Sequence, residues 1–244
     1  MRTNPKLIIF LCLCSGGILW AQDAGIAKIP PTDAIQSYLS ATKEYTALFS
    51  GKTELPYDRP FVNHPYLETD RYVQGTLCYN KVVYQDIYMR LDLFRNELTV
   101  FSPDKPYRIV LENEKFNYAV LHGLTLILSA NEVKTGLKYM VLIDDGLYPF
   151  VKQYRLSVRE EYSGVTLFRS FRIQEQYFIY INDMAYPVKN KNALLKLFPD
   201  RKKELNEYAK QHKLNFKAQF EQAIIALINH YENLTSRKHA DETI

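Results

Sequence analysis

Leu77-Cys78-Tyr79-Asn80-Lys81-Val82-Val83-Tyr84, followed by Met89-Arg90-Leu91-Asp92-Leu93, is the stretch on which the fold reading turns. Leu77 with Tyr79, then Met89, Leu91 and Leu93, recur with the period of two that a half-buried strand imposes. Asn80-Lys81 falls between two such runs, where a tight turn would reverse the chain. Leu98 and Val100 continue the alternation after a second turn at Asn96-Glu97. The same texture runs through Tyr107 to Leu111, Phe116 to Val120, Thr125 to Ser129 and Leu137 to Ile143. Asp145-Gly146 is a further turn signal, after which come Val151 to Val158, Gly164 to Phe171 and Tyr177 to Ile181, closed by Asn182-Asp183. Short strands separated by turns, without crossover helices, predict a largely antiparallel β-meander from about Arg71 to Pro187.

The flanks are helical in pattern. Ile35, Tyr38, Leu39, Thr42, Tyr45, Thr46 and Phe49 recur at three- and four-residue steps and predict an N-terminal helix from Asp33, ended by Ser50-Gly51. Pro56, Pro60 and Pro65 then make residues 55–69 a surface connection into the sheet, because proline removes a backbone donor and disfavours helix before it. After the strands, Asn192 to Phe198 predicts a short helical turn. Two C-terminal amphipathic helices follow, one opening at Pro199-Asp200 with Leu205, Tyr208 and Ala209 as its stripe. The second carries Phe220, Ala223, Ile224, Leu227, Ile228, Tyr231 and Leu234, with Asn215 as its cap and a frayed tail after Ser236. The class expected is therefore α+β, with residues 22–70 as helix and proline-rich connection and 71–244 as the β-rich part, forming one globular unit with 33–70.

Residues 1–21 read as an address. Arg2 and Lys6 precede the apolar run Leu7 to Leu13, and Ala21 supplies a small residue before Gln22, the layout of a cleaved secretory signal peptide. Ser15-Gly16-Gly17 interrupts the run short of the roughly 20 apolar residues that a spanning helix needs. Cys12 and Cys14 lack the small residues of a lipobox before them. Cleavage would remove Arg2 and Lys6 and lower the formal charge from +4 to +2. It would also leave Cys78 as the only one of three cysteines, so stability must come from a core and not from disulfides. The 19 Tyr and 13 Phe against one Trp suit a half-buried sheet, where a ring packs on the pleat while its hydroxyl reaches water.

Motifs for phosphate cradles, nucleophile elbows and zinc helices are missing from the sequence, and no cofactor is expected. His64, His122, His212, His230 and His239 are widely spaced, which gives metal binding no support. Asp144-Asp145 is the one acidic pair reminiscent of acid/base chemistry, but with Gly146 after it a hairpin turn is the better reading. Asn233-Leu234-Thr235 matches a glycosylation acceptor inside the predicted helix stripe and is discounted. Lys196, Arg201, Lys202, Lys203, Lys210 and Lys213 form a basic cluster that could meet an anionic partner, either an acidic envelope protein or an anionic lipid surface. A solvated, locally paired face is the simpler reading of that cluster, since Glu204 and Glu207 sit within helical reach of Arg201 and Lys203. An exported, nearly neutral domain is a poor partner for nucleic acid.

The segments His64-Pro65-Tyr66, Gly75-Thr76-Leu77-Cys78-Tyr79, Val83-Tyr84-Gln85-Asp86-Ile87, Met89-Arg90-Leu91-Asp92-Leu93, Leu111-Glu112-Asn113-Glu114-Lys115-Phe116, Leu194-Leu195-Lys196-Leu197-Phe198-Pro199-Asp200 and Lys213-Leu214-Asn215-Phe216 occur in this order. In that ordering the chain resembles a family of exported Bacteroidetes proteins without an assigned activity, and it departs from them where a Tyr-Asp pair is common and Leu91-Asp92 stands here. The resemblance implies a periplasmic, outer-membrane-associated or secreted location and no catalytic residues. The function expected is a non-enzymatic envelope binding or scaffold module, without a transmembrane span after cleavage. The alternatives are a carrier or sensor of an apolar ligand and a hydrolase built on His64 or His122.

Overall fold

The computed structural model describes residues 48–101, 108–129 and 138–241, with side chains to residue 236. All of them fall in the unit 42–244. The expected helix from Asp33 and the leader lie outside the described residues, save for the helix's last turn at Leu48.

Among the described residues eleven strands make one antiparallel sheet: β1 (Lys52–Thr53), β2 (Val73–Tyr79), β3 (Val82–Asp92), β4 (Glu97–Phe101), β5 (Arg108–Val110), β6 (Phe116–Leu121), β7 (Leu124–Leu128), β8 (Tyr139–Asp144), β9 (Phe150–Ser163), β10 (Thr166–Ile181) and β11 (Met184–Pro187). Their spatial order is β1-β5-β4-β3-β2-β6-β7-β8-β9-β10-β11. The expected single meander is thus two meanders set back to back on β2. From β5 the chain passes through a 3-10 turn, Asn113–Lys115, and returns on the far side of β2.

Turn chemistry sets the registers. Asn80-Lys81, His122-Gly123 and Asn182-Asp183 each have both central residues at positive φ, between 50° and 75°, the type I′ geometry whose twist matches that of the flanking strands. At Gly164, φ is +61° at the first of two central residues between β9 and β10, a position for which glycine carries no steric penalty. Asp86 supplies an extra residue in β3 at φ +56°, where the pairing with β2 shifts between Gly75 and Leu77.

One inward row runs through register partners Tyr84, Leu77, Ala119, Leu126 and Val141, all buried. These belong to a first apolar core with Met89, Leu91, Leu98, Val100 and Tyr139. Cys78 lies buried and free in β2, as a structural cysteine would. The 55–69 connection is ordered and pinned, with Leu67 buried and hydrogen-bonded through its N–H to the Leu91 carbonyl at 3.0 Å.

Three helices follow the sheet where two and a short turn were expected: α1 (Lys191–Leu197), α2 (Lys202–Gln211) and α3 (Phe220–Asp241). The Asn190 side chain accepts from the Ala193 N–H at 2.9 Å, and this cap turns the expected short turn into a helix. Asn215 caps the turn before α3, accepting from Lys217 and Ala218. From the expected stripe, Ile224, Leu227, Ile228 and Tyr231 join Phe150, Ile179 and Leu205 in a second core, and Ala223 is buried as well. Helix α3 runs to Asp241, past the fraying expected after Ser236. No described helix is long and apolar enough to cross a membrane.

The largest departure from expectation is β10. Gly164 to Phe171 and Tyr177 to Ile181 were separate strands on the alternation, yet one strand spans Thr166–Ile181 and pairs continuously with β9. Between them Arg172-Ile173-Gln174-Glu175 is exposed on both faces, so no burial pattern marks it as strand.

Candidate binding edge

Beyond Lys152 and Tyr177 the β9–β10 pair continues as a two-stranded ribbon, since β8 stops pairing at Lys152 and β11 begins pairing at Phe178. One long side of β10 is therefore an edge, and the hydrogen bonds at its two ends fix which groups face outward. At the distal end Val62 donates its N–H to the Arg169 carbonyl at 2.8 Å. Asn63 then closes a side-chain imitation of a strand pair: its Oδ1 accepts from the Phe171 N–H at 2.7 Å and its Nδ2 donates to the Phe171 carbonyl at 2.9 Å. At the other end the Val188 N–H donates to the Tyr177 carbonyl at 2.8 Å.

Residues 169, 171 and 177 thus all turn their peptide groups to the outside, and the unbroken register with β9 makes Ile173 and Glu175 do the same. No described residue pairs with the N–H and C=O groups of Ile173 and Glu175. The result is a notch over residues 172–176, closed at both ends, roughly 20 Å from Phe171 to Tyr177.

The Asn63 end is held by stacked rings. Phe61 stacks on Phe171 with centroids 4.2 Å apart, and Tyr57 and Phe94 meet the same ring at 5.6 Å and 5.2 Å. Tyr57 donates to Asp92 Oδ2 at 2.7 Å, while Asp92 Oδ1 accepts from the N–H groups of Phe94 and Arg95. Beside the notch, an open groove of about 830 Å³ is walled by Phe216, Phe220, Pro187 and Val188, with Gln174 to Phe178 as its floor.

The floor is fixed by a polar cluster. Lys152 is only 14% exposed and donates to Glu221 Oε1 at 2.9 Å, with Glu175 at 3.7 Å. The Tyr177 hydroxyl lies 2.7 Å from Glu175 Oε2 and 3.0 Å from Glu221 Oε1. Burial pulls the Lys152 ammonium down, but the Glu221 hydrogen bond and the neighbouring Tyr154 and Glu221 outweigh it and hold the group above its usual value. Burial first, then the carboxylates of Glu175 and Glu221, raises the Tyr177 phenol. This cluster ties α3 to the ribbon and sets the position of the groove's aromatic wall.

Several tyrosines share that upward shift: Tyr57 through burial and Asp92, Tyr72 through burial and Glu54, and Tyr139 mainly through burial at 4% exposure. The folded state keeps protons that the unfolded chain releases near the ordinary phenol value. Their stabilisation is therefore intact below about pH 10 and falls as the pH rises toward the folded values. Tyr139 alone should withdraw on the order of 1 kcal/mol by pH 11. Thermal unfolding followed from pH 8 to pH 11 should show a steep alkaline loss, and Tyr139→Phe should flatten it; an unchanged Tm across that range would contradict the burial argument.

The residues singled out from the sequence are not assembled into this edge. His122 is an exposed turn residue at φ +54°, and His64 is half-buried and stacked on Tyr66 at 6.0 Å. Asp144 accepts from the Gly146 N–H at 3.4 Å, the turn role read for the acidic pair. No described hydrogen bond or ion pair joins these histidines to Asp144 or Asp145, and no described group of three metal-ligating side chains occurs. Lys196, Lys202, Lys203, Lys210 and Lys213 are exposed along α1 and α2 and the turn after α2, while Arg201 is half-buried against Glu204 at 3.2 Å. Asp200, Glu204 and Glu207 interleave with these cations, giving a mixed surface. Asn63 and the β10 edge escaped the sequence reading because an amide imitating a strand leaves no periodic signal.

Comparison with known proteins finds no matching family model, no matching curated protein and no matching solved structure.

Proposed function

We propose that this protein is a non-enzymatic, exported cell-envelope binding module that captures an extended polypeptide segment of its partner as an added strand on β10. The observation that carries the reading is the pair of outward peptide groups at Ile173 and Glu175, left unpaired among described residues beside an apolar groove. A chain normally covers or blunts such an edge, and here the described residues cap it at both ends but not between them. Strand addition supplies affinity through main-chain hydrogen bonds and specificity through pockets for alternate side chains. The closed ends favour a flexible segment that enters and leaves within about five residues over the strand edge of a folded domain. Phe216 and Phe220 favour apolar side chains at alternate positions. The layout of the leader and the resemblance to exported Bacteroidetes proteins support an envelope location.

The test is a panel of short peptides with alternating apolar and polar residues, measured against the full chain. Ile173→Pro removes one outward N–H without touching the β9 ladder, so the fold should survive. Binding peptides should lose about tenfold or more in affinity with that variant and with Phe220→Ala, and should slow hydrogen exchange at Ile173 and Glu175. Peptides that bind Ile173→Pro equally well, or leave both amides unprotected, would refute strand addition.

A further inference from the structure

The β9–β10 ribbon has a second edge, on the side away from the notch. The pairing of β8 with β9 runs to Val141 and Lys152, and one step further would set Tyr139 against Tyr154. That step is missing. The Lys138 carbonyl accepts from the Ser129 N–H on the β7 side at 2.9 Å, so Tyr139 faces β9, yet its N–H donates to Asn96 Oδ1 at 3.0 Å instead. The sheet splits there, and the cleft that opens, about 550 Å³, lies between Lys138 and residues 153–156 of β9, with Leu93 and Phe94 in its wall.

From the split to the turn at Gly164 the outer side of β9 pairs with no described strand. Tyr154, Leu156, Val158 and Glu160 lie opposite Glu175, Ile173, Phe171 and Arg169, whose peptide groups point away from β9. By the alternation of an antiparallel pair these four, and Tyr162 after them, point theirs away from β10, where no described residue meets them. The free edge runs from Gln153 to Ser163, and its midpoint is Val158. Two copies paired antiparallel about Val158 would use the whole of it, the turn of one ending where β8 of the other begins. That register also matches the side chains. Arg155 meets Glu161 of the second copy on one face, Tyr154 meets Tyr162 on the other, and each pair occurs twice. Arg159 faces Ser157 and keeps its own Glu161, and Glu160 faces Leu156 and keeps its own Arg169. A centre at Arg155, Ser157, Arg159 or Glu160 would set like charges directly opposite each other, and one at Leu156 would pair only residues 154–158. Tyr162, 74% exposed in the single chain, is brought by the Val158 register to Tyr154 at the other copy's cleft.

We infer that two copies of this chain associate edge to edge through β9, joining their ribbons into one four-stranded sheet about a twofold axis at Val158. The interface is isologous, so one self-complementary strand serves both copies and the contact closes at two. Pairing also removes the longest open edge among the described residues, which would otherwise invite aggregation. The β10 strands stay on the outside of the joined sheet, so the inference is independent of peptide capture.

The test measures the mass of the full chain against concentration by analytical ultracentrifugation, where a dimer should form. Arg155→Glu sets carboxylates against each other at both ends of the interface, Glu161→Arg sets guanidiniums there, and each variant alone should associate about tenfold or more weakly. Mixed together, the two variants regain opposite charges at both ends and should form a mixed dimer about as tight as the natural one. Both side chains are exposed, and circular dichroism checks that each variant is folded. With Cys12→Ser and Cys14→Ser in place, Val158→Cys should form an intermolecular disulfide on mild oxidation, because directly opposed Cα atoms at such a pair are about 5.5 Å apart. Glu160→Cys, which faces Leu156 and not itself, should not. A monomer at every concentration, undiminished association of either charge variant, no gain on mixing, or a disulfide at Glu160→Cys in place of Val158→Cys would each overturn the inference.

Discussion

Arg90→Met is expected to destabilise the protein by about 3–5 kcal/mol, read as a lower urea midpoint at unchanged slope. Arg90 is 12% exposed and its partner Glu54 is 6% exposed, with Nη2 at 2.9 Å and 3.1 Å from the two carboxylate oxygens. The guanidinium is held between two rings, Tyr66 at 3.7 Å and Tyr72 at 4.4 Å, and donates to the Asp70 carbonyl. Tyr72 in turn donates to Glu54 Oε2 at 2.7 Å. Burial disfavours the charged Arg90, but the Glu54 hydrogen bond and the adjacent phenols more than compensate, leaving it firmly cationic. Methionine fills similar space and removes every donor, so the Glu54 charge stays buried with Tyr72 as its one remaining side-chain donor among the described residues. Glu54→Gln together with Arg90→Met should recover a large part of the loss, because no unpaired charge remains. If the double variant is no more stable than Arg90→Met alone, packing between the two rings outweighs charge pairing at this position.

Gly75→Ala should cost about 3 kcal/mol, near the top of the usual range for overpacking. A Cβ at Gly75 would lie 2.2 Å from the Val120 carbonyl oxygen of β6 and 3.2 Å from Met89 Cε of β3. The methionine end can move aside. The carbonyl cannot, because Val120 is held in register with Thr76 in the middle of the sheet. Gly123→Ala makes the comparison: at φ +75° with nothing within 4 Å, it should cost only the left-handed backbone penalty of about 1–2 kcal/mol. Equal losses in the two variants, by chemical denaturation, would remove the clash as the explanation.

The β2–β3 hairpin was legible because Asn80-Lys81 can adopt positive φ and its flanks bury alternate residues. The α3 stripe was legible for the same reason at helical spacing. Arg172 to Glu175 was not, because alternation records burial of one face and this part of β10 is exposed on both. The turn at Asp145-Gly146 could be read locally, whereas the return of the chain from β5 to the far side of β2 depends on contacts that no local pattern encodes. The candidate edge is harder still, since its outward peptide groups follow from register and one of its caps comes from residues a hundred positions earlier. Asn63 signals a turn as readily as a strand cap, and only the approach of Phe171 decides between them.

That separation of Asn63 from Phe171, 108 residues along the chain, also orders events in time. Hairpins joined by two-residue turns can zip as soon as both strands emerge, because little chain entropy is lost. The Asn63 clasp must wait until β10 has been made and its ribbon has folded back over the older half of the sheet. Until then the outer edge of β10, paired with β9 along its other side, lacks its clasp at Phe171. The newborn chain therefore passes through an interval in which its longest strand is its least guarded, and a helper that shields extended backbone would act in that interval.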